Sequence, residues 1–336
     1  MKMNKVIIIA EAGVNHNGSL TKAKKLIDIA SKAGADFVKF QTYKTEEMTT
    51  KNAIKTPYQK KFSNEKSQFK MLKDYELSES NFIFLRKYCV KKNIKFLSSP
   101  FDIKSATFLN KLKMKYIKIP SGEITNYPLI EHIAGFNKDI ILSTGMSIVK
   151  EIHDAIMIFK KNKKFNKSIN LLHCTSAYPT PFNEININAM LMLKNKFKLN
   201  VGLSDHSIGE VAAIAAISNG ANFIEKHFTI NKNLKGPDHK SSLAPAELCS
   251  FIDSIRIAEK VMGDSFKSLT RSETKNIKLV RKSIVAKTNI KIGDNFTDKN
   301  LTVKRPAYGI SPMNWNKIIG KKSKKNYKAD AVIKNY

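Results

Sequence analysis

Short apolar runs rich in β-branched residues alternate with longer amphipathic stretches through most of the chain. This alternation is typical of parallel strands that are covered by helices. Stretches such as 20–33, 81–92 and 210–218 have apolar residues three and four positions apart, which predicts helices between the strands. We predict eight strands, at 6–10, 37–41, 95–98, 116–119, 140–143, 169–173, 200–203 and 223–227. Eight such units predict an α/β fold of the (β/α)8 TIM-barrel type.

The pattern changes after a last predicted helix at 245–262. The next segment, 266–280, is polar and rich in Lys, Ser and Thr, and we interpret it as a linker. From residue 281 the apolar runs are shorter and are separated by residues typical of turns, which predicts a small β-rich domain. The expected organisation is a catalytic TIM barrel at 1–265, the linker, and a β-rich domain at 281–336.

A long polar stretch, 42–77, follows the second predicted strand. It is longer than the usual connection between a strand and the next helix, and connections of this length are often functional. We therefore interpret it as an active-site loop that contains some local helix.

Length and composition exclude several classes of protein. The 336 residues accommodate a barrel of ~250 residues and a small appendage. Apolar runs are far shorter than the ~20 residues that cross a bilayer, so we expect no membrane association. The run 6–10 is followed directly by Glu11, without a signal-peptide cleavage site, and we expect a cytoplasmic protein. Cys89, Cys174 and Cys249 lack the spacing of a disulfide framework or a zinc site, which predicts buried thiols.

The charge of the chain raises the hypothesis of nucleic-acid binding, because Lys and Arg outnumber Asp and Glu by 59 to 28. Arginine is the preferred residue for reading bases and clamping phosphates. Arginine is rare here, whereas lysines are scattered through every segment beside many Asn and Ile, as in proteins of AT-rich genomes. We expect a solvated lysine surface that attracts anionic substrates, and no nucleic-acid partner.

Polar residues follow the predicted strands at their carboxyl ends, where barrels build active sites. Glu11 ends the first strand and is the candidate acid or base; a solvated carboxylate or a helix cap is the simpler alternative. Lys39 and Gln41 end the second strand, and strand alternation places both on the interior face. Lys118 has the same position on the fourth strand.

Serines add hydroxyl groups to these two interior lysines. They lie at or just beyond other strand ends, at Ser99, Ser121, Ser143 and Ser204. Two ammonium groups surrounded by hydroxyls can bind one phosphate and one carboxylate. Each serine taken alone is more often a turn cap, so the prediction rests on the set.

Two histidines lie at or just beyond the ends of neighbouring predicted strands, His206 after the seventh and His227 at the end of the eighth. A lone histidine is more often a core residue than a ligand, but imidazoles on neighbouring strand ends can share one divalent ion. Two protein ligands leave positions for water or a substrate oxygen, as a Lewis acid requires. His16, His173 and His239 are weaker candidates.

These motifs resemble those of the sialic acid synthase family, which includes N-acetylneuraminate, legionaminic acid and pseudaminic acid synthases. The resemblance spans almost the whole chain. Its blocks are AEAGVNHNGSL at 10–20, VKFQ at 38–41, SSPFD at 98–102, KIPSGE at 118–123, LSTGM at 142–146, HCTSAYPTP at 173–181, GLSDHS at 202–207, EKHFT at 225–229, GPDH at 236–239 and KRPAYGISP at 304–312. The last block resembles the antifreeze-like, or SAF, domain of that family.

The resemblance implies a role for each matching residue. Glu11 would be the catalytic residue, and His206 and His227 would hold a divalent metal, Mn²⁺ or alternatively Mg²⁺ or Co²⁺. The phosphoenolpyruvate site would comprise Lys39, Ser99, Lys118, Ser121, Ser143, Ser176 and Ser204. The sugar site would comprise Gln41, Glu123, Tyr178, Asp238 and Arg305. Ser176 stands where some N-acetylneuraminate synthases carry Asn, and the segment 57–74 does not align clearly with the family's substrate loop.

The implied activity is that of an N-acetylneuraminate synthase, which condenses phosphoenolpyruvate with open-chain N-acetylmannosamine and water. A legionaminic or pseudaminic acid synthase is the first alternative. The resemblance also implies a homodimer in which Arg305 of the SAF domain reaches the neighbouring barrel. A Schiff-base aldolase using Lys39 or Lys118 is a more distant alternative, as is a basic nucleic-acid-binding protein.

Overall fold

The structure is a computed structural model that describes residues 5–56, 59–60 and 67–335. It divides into two compact units, Met1–Asp264 and Ser265–Tyr336. In the described part, no helix is both long and apolar enough to pass through a membrane.

The first unit is built on eight parallel strands. They are β1 (Ile7–Gly13), β2 (Phe37–Thr42), β3 (Lys95–Pro100), β4 (Tyr116–Ile119), β5 (Asp139–Ser143), β6 (Ile169–Cys174), β7 (Asn200–Asp205) and β8 (Phe223–His227). Their order in the sheet is β3-β2-β1-β8-β7-β6-β5-β4, and β3 lies beside β4, which closes the barrel. The predicted TIM barrel is confirmed. β1, β3 and β7 extend two or three residues further than predicted, because each continues through a polar residue that faces the interior, namely Glu11, Ser99 and Ser204, and the prediction followed apolar runs alone.

Helices cover the outside of the barrel. Their bounds are α1 (Leu20–Lys32), α2 (Thr45–Met48), α3 (Gln68–Tyr75), α4 (Glu79–Lys91), α5 (Ile103–Lys111), α6 (Tyr127–Ala134), α7 (Val149–Lys161), α8 (Ile187–Phe197), α9 (Val211–Ser218) and α10 (Pro245–Met262). In α1, Ser19 caps the first turn by accepting from the backbone N–H of Lys22. The buried face of α1 has helical spacing, with Ala23, Leu26, Ile27 and Ala30 against the sheet.

The segment 42–77 contains two of these short helices, α2 and α3, as predicted; its residues 57–58 and 61–66 lie outside the described part. Met71 and Leu72 of α3 pack with Val14 and Tyr43 in a small apolar cluster above the barrel. The hydroxyl of Tyr43 donates to the carbonyl of Leu72 at 3.0 Å. These contacts hold the described part of the segment against the barrel.

The floor of the barrel interior is apolar. Seven strands each contribute one buried side chain to it, namely Ile9, Phe37, Leu97, Tyr116, Ile141, Leu172 and Phe223. β7 contributes Gly202 instead, where a Cβ would lie 2.4 Å from the carbonyl oxygen of Phe223 and 2.8 Å from Cδ2 of Leu172. Tyr116 packs edge-to-face on both Phe37 and Phe223. The floor thus closes the amino end of the barrel.

The second unit contains an antiparallel pair, β9 (Ser283–Ala286) and β10 (Leu301–Lys304). A separate apolar core lies around Ile284, Phe296 and Ile318, and α12 (Trp315–Ile318) contributes to that core. The predicted small β-rich domain is confirmed.

The segment 266–280, interpreted as a linker, contains a helix that the prediction missed, α11 (Arg271–Val280). The helix buries none of its residues, and its large apolar residues all lie in its last turn, so apolar spacing gave little indication of it. A capping box was the available signal, because Thr270 and Glu273 each bond to the backbone N–H of the other.

Candidate active site

A layer of polar side chains lies directly above the apolar floor. Each lies two residues beyond a floor position on the same strand, so alternation turns it to the same interior face. The layer comprises Glu11, Lys39, Ser99, Lys118, Ser143, Cys174, Ser204 and Glu225. All eight are buried, and seven of them line a cavity of about 280 Å³; Ser99 lies behind Lys39. The charged and polar side chains therefore lie at the bottom of a deep cavity in the barrel, which we call the well.

Four charged side chains of this layer form one network. Nζ of Lys39 lies 2.6 Å from Oε2 of Glu11 and 3.6 Å from Oε2 of Glu225. Nζ of Lys118 lies 3.7 Å from Oε1 of Glu225. Lys118 also donates to Oγ of Ser143 at 2.7 Å. The two ammonium groups thus share Glu225 between them.

Burial affects the two carboxylates in opposite ways. It raises the pKa of Glu11 to about 7, because Lys39 offsets the loss of hydration only in part and Glu225 adds repulsion. Burial also opposes ionisation of Glu225, but Lys118 and Lys39 outweigh it and lower the pKa of Glu225 to about 2. Near neutral pH, Glu225 is a fixed anion and Glu11 exchanges a proton. Two carboxyl groups whose pKa values are driven apart are typical of acid–base catalysis.

The two predicted metal ligands lie together at the mouth of the well. The ring centroids of His206 and His227 are 5.6 Å apart, and the ring of Tyr178 lies 4.1 Å from that of His206. Nδ1 of His206 bonds to the carbonyl of Thr175 at 2.8 Å, which orients the ring. Nδ1 of His227 is buried and has no hydrogen-bond partner among the described residues.

These imidazoles fit a divalent ion. Burial, followed by the proximity of His206, lowers the pKa of His227 well below its usual value, so this ring is neutral and has a lone pair to give. Over residues 5–56, 59–60 and 67–335, no group of three or more His, Cys, Asp or Glu is arranged to hold a metal. An ion here would have two protein ligands and would take the remaining ones from water or substrate.

Asp238 joins this group through the loop after β8. A Cβ built on Gly13 would lie 3.3 Å from Oε1 of Glu11, 3.4 Å from Cε1 of His227 and 3.5 Å from Oδ2 of Asp238, so these side chains surround Gly13. Burial raises the pKa of Asp238 to about 6, with His206 opposing. The predicted acid, one predicted metal ligand and one predicted sugar ligand therefore share a single corner of the cavity.

Other predicted residues fall into two groups. Gln41, Ser121 and Ser176 line the cavity, and Nε2 of Gln41 donates weakly to Glu11 at 3.5 Å. Glu123 does not line it, and instead accepts from the side chain of Asn126 at 2.6 Å. Arg305 lies in the second unit, directly after β10.

Sequence reasoning missed Glu225 and took Cys174 only for a buried thiol. Glu225 bonds to Oγ of Ser204 at 2.9 Å and holds both lysines, and Sγ of Cys174 lies 3.6 Å from Nδ1 of His206. The signal was present for Glu225, because it lies two residues before His227 and alternation places both on one face.

Two family profiles together cover most of the chain. The NeuB family profile matches residues 26–267, more than half of the protein. The chain belongs to the NeuB family. The SAF domain profile matches residues 281–335, which confirms the predicted SAF domain of this NeuB-family protein.

Several proteins similar to this NeuB-family chain are named as synthases of acidic sugars. N,N'-diacetyllegionaminic acid synthase of Campylobacter jejuni is 52% identical over 99% of this chain and 100% of its own length. The Legionella pneumophila protein of the same name is 41% identical over 97% of this chain and 92% of its own. The crystal structure of N-acetylneuraminic acid (sialic acid) synthetase from Leptospira borgpetersenii, in complex with citrate, matches with a TM-score of 0.71. It is 35% identical over 82% of this chain and 90% of that one.

Proposed function

We propose that this protein condenses phosphoenolpyruvate with an open-chain 2,4-diacetamido-trideoxymannose and water, giving N,N'-diacetyllegionaminic acid and phosphate. The supporting observation in the structure is the buried layer of two lysines, several hydroxyls and the carboxyl group of Glu11 beneath two imidazoles. The choice of sugar rests on the relatives. Those named for legionaminic acid are 52% and 41% identical to this chain, against 35% for the N-acetylneuraminic acid synthetase. We therefore favour legionaminic acid over N-acetylneuraminate as the product.

The polar layer supports binding of the phosphate and the carboxylate of phosphoenolpyruvate. Burial lowers the pKa of Lys118, and an anion bound beside it would favour its charged form again. Oγ of Ser143 accepts from Lys118 and keeps its own O–H for a ligand oxygen. Oγ of Ser121 accepts from the N–H of Gly145 at 3.0 Å, so its O–H can also donate to a ligand oxygen. Ser99, Ser176 and Ser204 complete the proposed site.

The amino sugar would occupy the upper part of the well, above the anion. Gln41, Tyr178 and Asp238 line this part and offer an amide, a phenol and a carboxyl group to hydroxyl and acetamido groups. Met48 and Phe101 line the same cavity and give it apolar surface, which suits the methyl groups of a deoxy sugar with two acetamido substituents. We assign Glu123 to the outer edge of this sugar site.

A divalent ion, Mn²⁺ or alternatively Mg²⁺ or Co²⁺, would be held by His206 and His227. When bound, it supplies a Lewis acid that polarises the aldehyde of the sugar. The two rings lie at the mouth, between the proposed anion site and the solvent. His206 is oriented by Thr175, so it is pre-organised for a ligand.

The bond changes follow from this arrangement. C3 of phosphoenolpyruvate attacks the aldehyde carbon, whose oxygen becomes a hydroxyl group with the proton that Glu11 takes from water in the next step. Water then adds to C2 while the carboxylate of Glu11 accepts one of its protons. The tetrahedral carbon at C2 expels phosphate and becomes the ketone of a nine-carbon acid. Lys39 and Lys118 stabilise charge that develops on the phosphate in a site largely shielded from water.

We also propose a cytoplasmic homodimer in which Arg305 of one protomer completes the sugar site of the other. Apolar side chains surround the barrel mouth on loops after β5, β6 and β7. Met146, Ile148, Phe182 and Ile208 are each more than 60% exposed, which is typical of a surface that another chain covers.

The deciding experiment is phosphate release from phosphoenolpyruvate with Mn²⁺ present. Rates are compared with 2,4-diacetamido-trideoxymannose, with N-acetylmannosamine and without sugar. We expect release that depends on sugar and is fastest with the diacetamido sugar. Equal or faster release with N-acetylmannosamine would return the assignment to N-acetylneuraminate, and no release with either sugar would refute the synthase.

A further inference from the structure

A buried ion pair lies on the outer face of the barrel, directly behind the two histidines. Asp205 of β7 and Lys226 of β8 are opposite each other in the strand register. Nζ of Lys226 lies 2.7 Å from Oδ2 of Asp205, and both side chains are at most 3% exposed. The ring of Phe251 covers the ammonium group at 5.5 Å. The pair therefore joins the ends of two neighbouring strands in a place that water does not reach.

The pair also fixes the turn that follows β7. Oδ1 of Asp205 accepts from both N–H and Oγ–H of Ser207, at 2.9 and 2.6 Å. Nζ of Lys226 donates to the carbonyl of Ser207 at 2.5 Å. Asp205 and Ser207 are the residues on either side of His206, so the three bonds enclose the backbone that carries this imidazole.

The two histidines are thereby connected through their chain neighbours. Lys226 directly precedes His227, and Asp205 directly precedes His206. The carbonyl of His206 accepts from the N–H of Thr180 at 2.9 Å, which fixes the same turn from the side of β6. An ion held by only two side chains depends strongly on the distance between them, because the described residues supply no third ligand to compensate.

Stability alone gives a weak reason for burying this pair. Buried ion pairs are often replaced by apolar residues with little loss of stability, because the charges must give up their hydration. Geometry gives a better reason, since two opposite charges in direct register resist both sliding and separation of the strand ends.

We propose that Asp205 and Lys226 are positioning residues that set the separation of the His206 and His227 imidazoles for a divalent ion. This inference rests on the proposed function for the presence of that ion. Partners of metal ligands typically contribute 10- to 100-fold to metal affinity, so loss of the pair should weaken binding of the ion by roughly this factor.

The test measures the dissociation constant of Mn²⁺ from the free-Mn²⁺ paramagnetic resonance signal, with the full chain and no substrate. The variants are Lys226→Met and the neutral double variant Asp205→Asn with Lys226→Met. We expect Mn²⁺ to bind about 10- to 100-fold more weakly to both, with phosphoenolpyruvate binding in calorimetry changed less than about twofold. Ser207→Ala, which removes only one hydroxyl from the turn, should weaken Mn²⁺ binding by a smaller factor.

A matched control is Arg256→Met. Arg256 forms a partly buried ion pair with Asp36 at 2.9 Å at the amino end of the barrel, away from the histidines. We expect this variant to lower the melting temperature and to leave the Mn²⁺ dissociation constant unchanged.

The outcomes separate this inference from the proposed function. Wild-type protein that binds no Mn²⁺ would remove the metal from the proposed function, and the inference with it. If Lys226→Met binds Mn²⁺ as tightly as the wild-type protein does, the inference is overturned and the proposed function is not. The melting temperature of the variant does not alter this conclusion. Should Lys226→Met not fold, unchanged Mn²⁺ affinity in Ser207→Ala and in the double variant overturns it equally.

Discussion

The ammonium group of Lys39 lies 2.6 Å from Oε2 of Glu11, and both side chains are almost completely buried. This contact lowers the pKa of Glu11, yet burial is the larger influence and leaves the pKa at about 7. The lysine therefore holds the carboxyl group in place without fixing its charge near neutral pH. A group that exchanges its proton at working pH is suited to acid–base catalysis.

The first prediction concerns the role of this carboxyl group. Glu11→Gln keeps the shape of the side chain but removes its proton acceptor, so kcat should fall by about 10²- to 10⁴-fold. The affinity for phosphoenolpyruvate should change little, since no negative charge needed for binding is lost. Steady-state kinetics of phosphate release measure both, with Glu247→Gln on the exposed surface as the control. Equal losses in kcat and in affinity would contradict a catalytic role.

The second prediction is a pH dependence. The pKa of Glu11 is raised by burial, so its basic form is lost as pH falls below about 7. At lower pH, kcat/KM should decrease by about tenfold per pH unit. This acidic limb of the pH profile should be absent in Glu11→Gln. Glu225 adds no limb in this range, because its pKa lies at about 2. A pH profile of kcat/KM from pH 5 to 9 checks this, and an unchanged limb in the variant would assign it to another group.

The third prediction concerns the proposed anion site. Lys118→Met should raise the KM for phosphoenolpyruvate by about 10- to 100-fold, the usual effect of losing a charged hydrogen bond. Ser143→Ala should raise it by only about fivefold, because a neutral hydroxyl contributes less. In the double variant the effects should not multiply, since Lys118 and Ser143 are bonded at 2.7 Å. Lys232→Met, at an exposed ion pair, is the control, and full multiplication would mean that the two act independently.

The fourth prediction separates the synthase from a Schiff-base aldolase. Burial lowers the pKa of Lys118, and this alone also favours a nucleophilic amine. Borohydride added with pyruvate and sugar should leave the mass of the protein unchanged, whereas a chelator should abolish phosphate release from phosphoenolpyruvate until Mn²⁺ is restored. A covalent adduct on Lys39 or Lys118 would support the aldolase.

The fifth prediction concerns the barrel floor. Gly202→Ala places a Cβ against Phe223 and Leu172, so it should destabilise the protein by about 1–3 kcal/mol, as overpacking does. Denaturant unfolding measures this. Gly122→Ala, whose Cβ meets nothing within 4 Å, should leave the stability almost unchanged. Similar stability of the two variants would show that the floor relaxes around the added methyl group.

The fold could be predicted because barrel strands carry an alternation that the sequence shows directly. The ends of the strands could not be placed as well, since residues such as Glu11 and Ser204 are polar although they face the interior. α11 was missed because its large apolar residues, Ile277, Leu279 and Val280, all lie in its last turn and leave no repeat along the segment.

The candidate site was predictable to the extent that strand ends converge on one face of a barrel. Glu225 was missed because a carboxylate within a strand gives a weaker signal than the histidine two residues later, although alternation applied equally to both. The ion pair of Asp205 and Lys226 depends on strand register across the sheet, which spacing along one chain does not give.

The apolar floor has a kinetic consequence. Because Phe37, Tyr116 and Phe223 close the barrel below the polar layer, the described residues leave no opening at the amino end of the barrel. Under the proposed function, a molecule held by Lys118 at the bottom would enter before the molecule held beside Tyr178, and it would stay until the upper one moved. Substrates would accordingly load in a compulsory sequence, anion first and sugar second. Phosphate formed at the bottom would leave only after the new acid had cleared the opening.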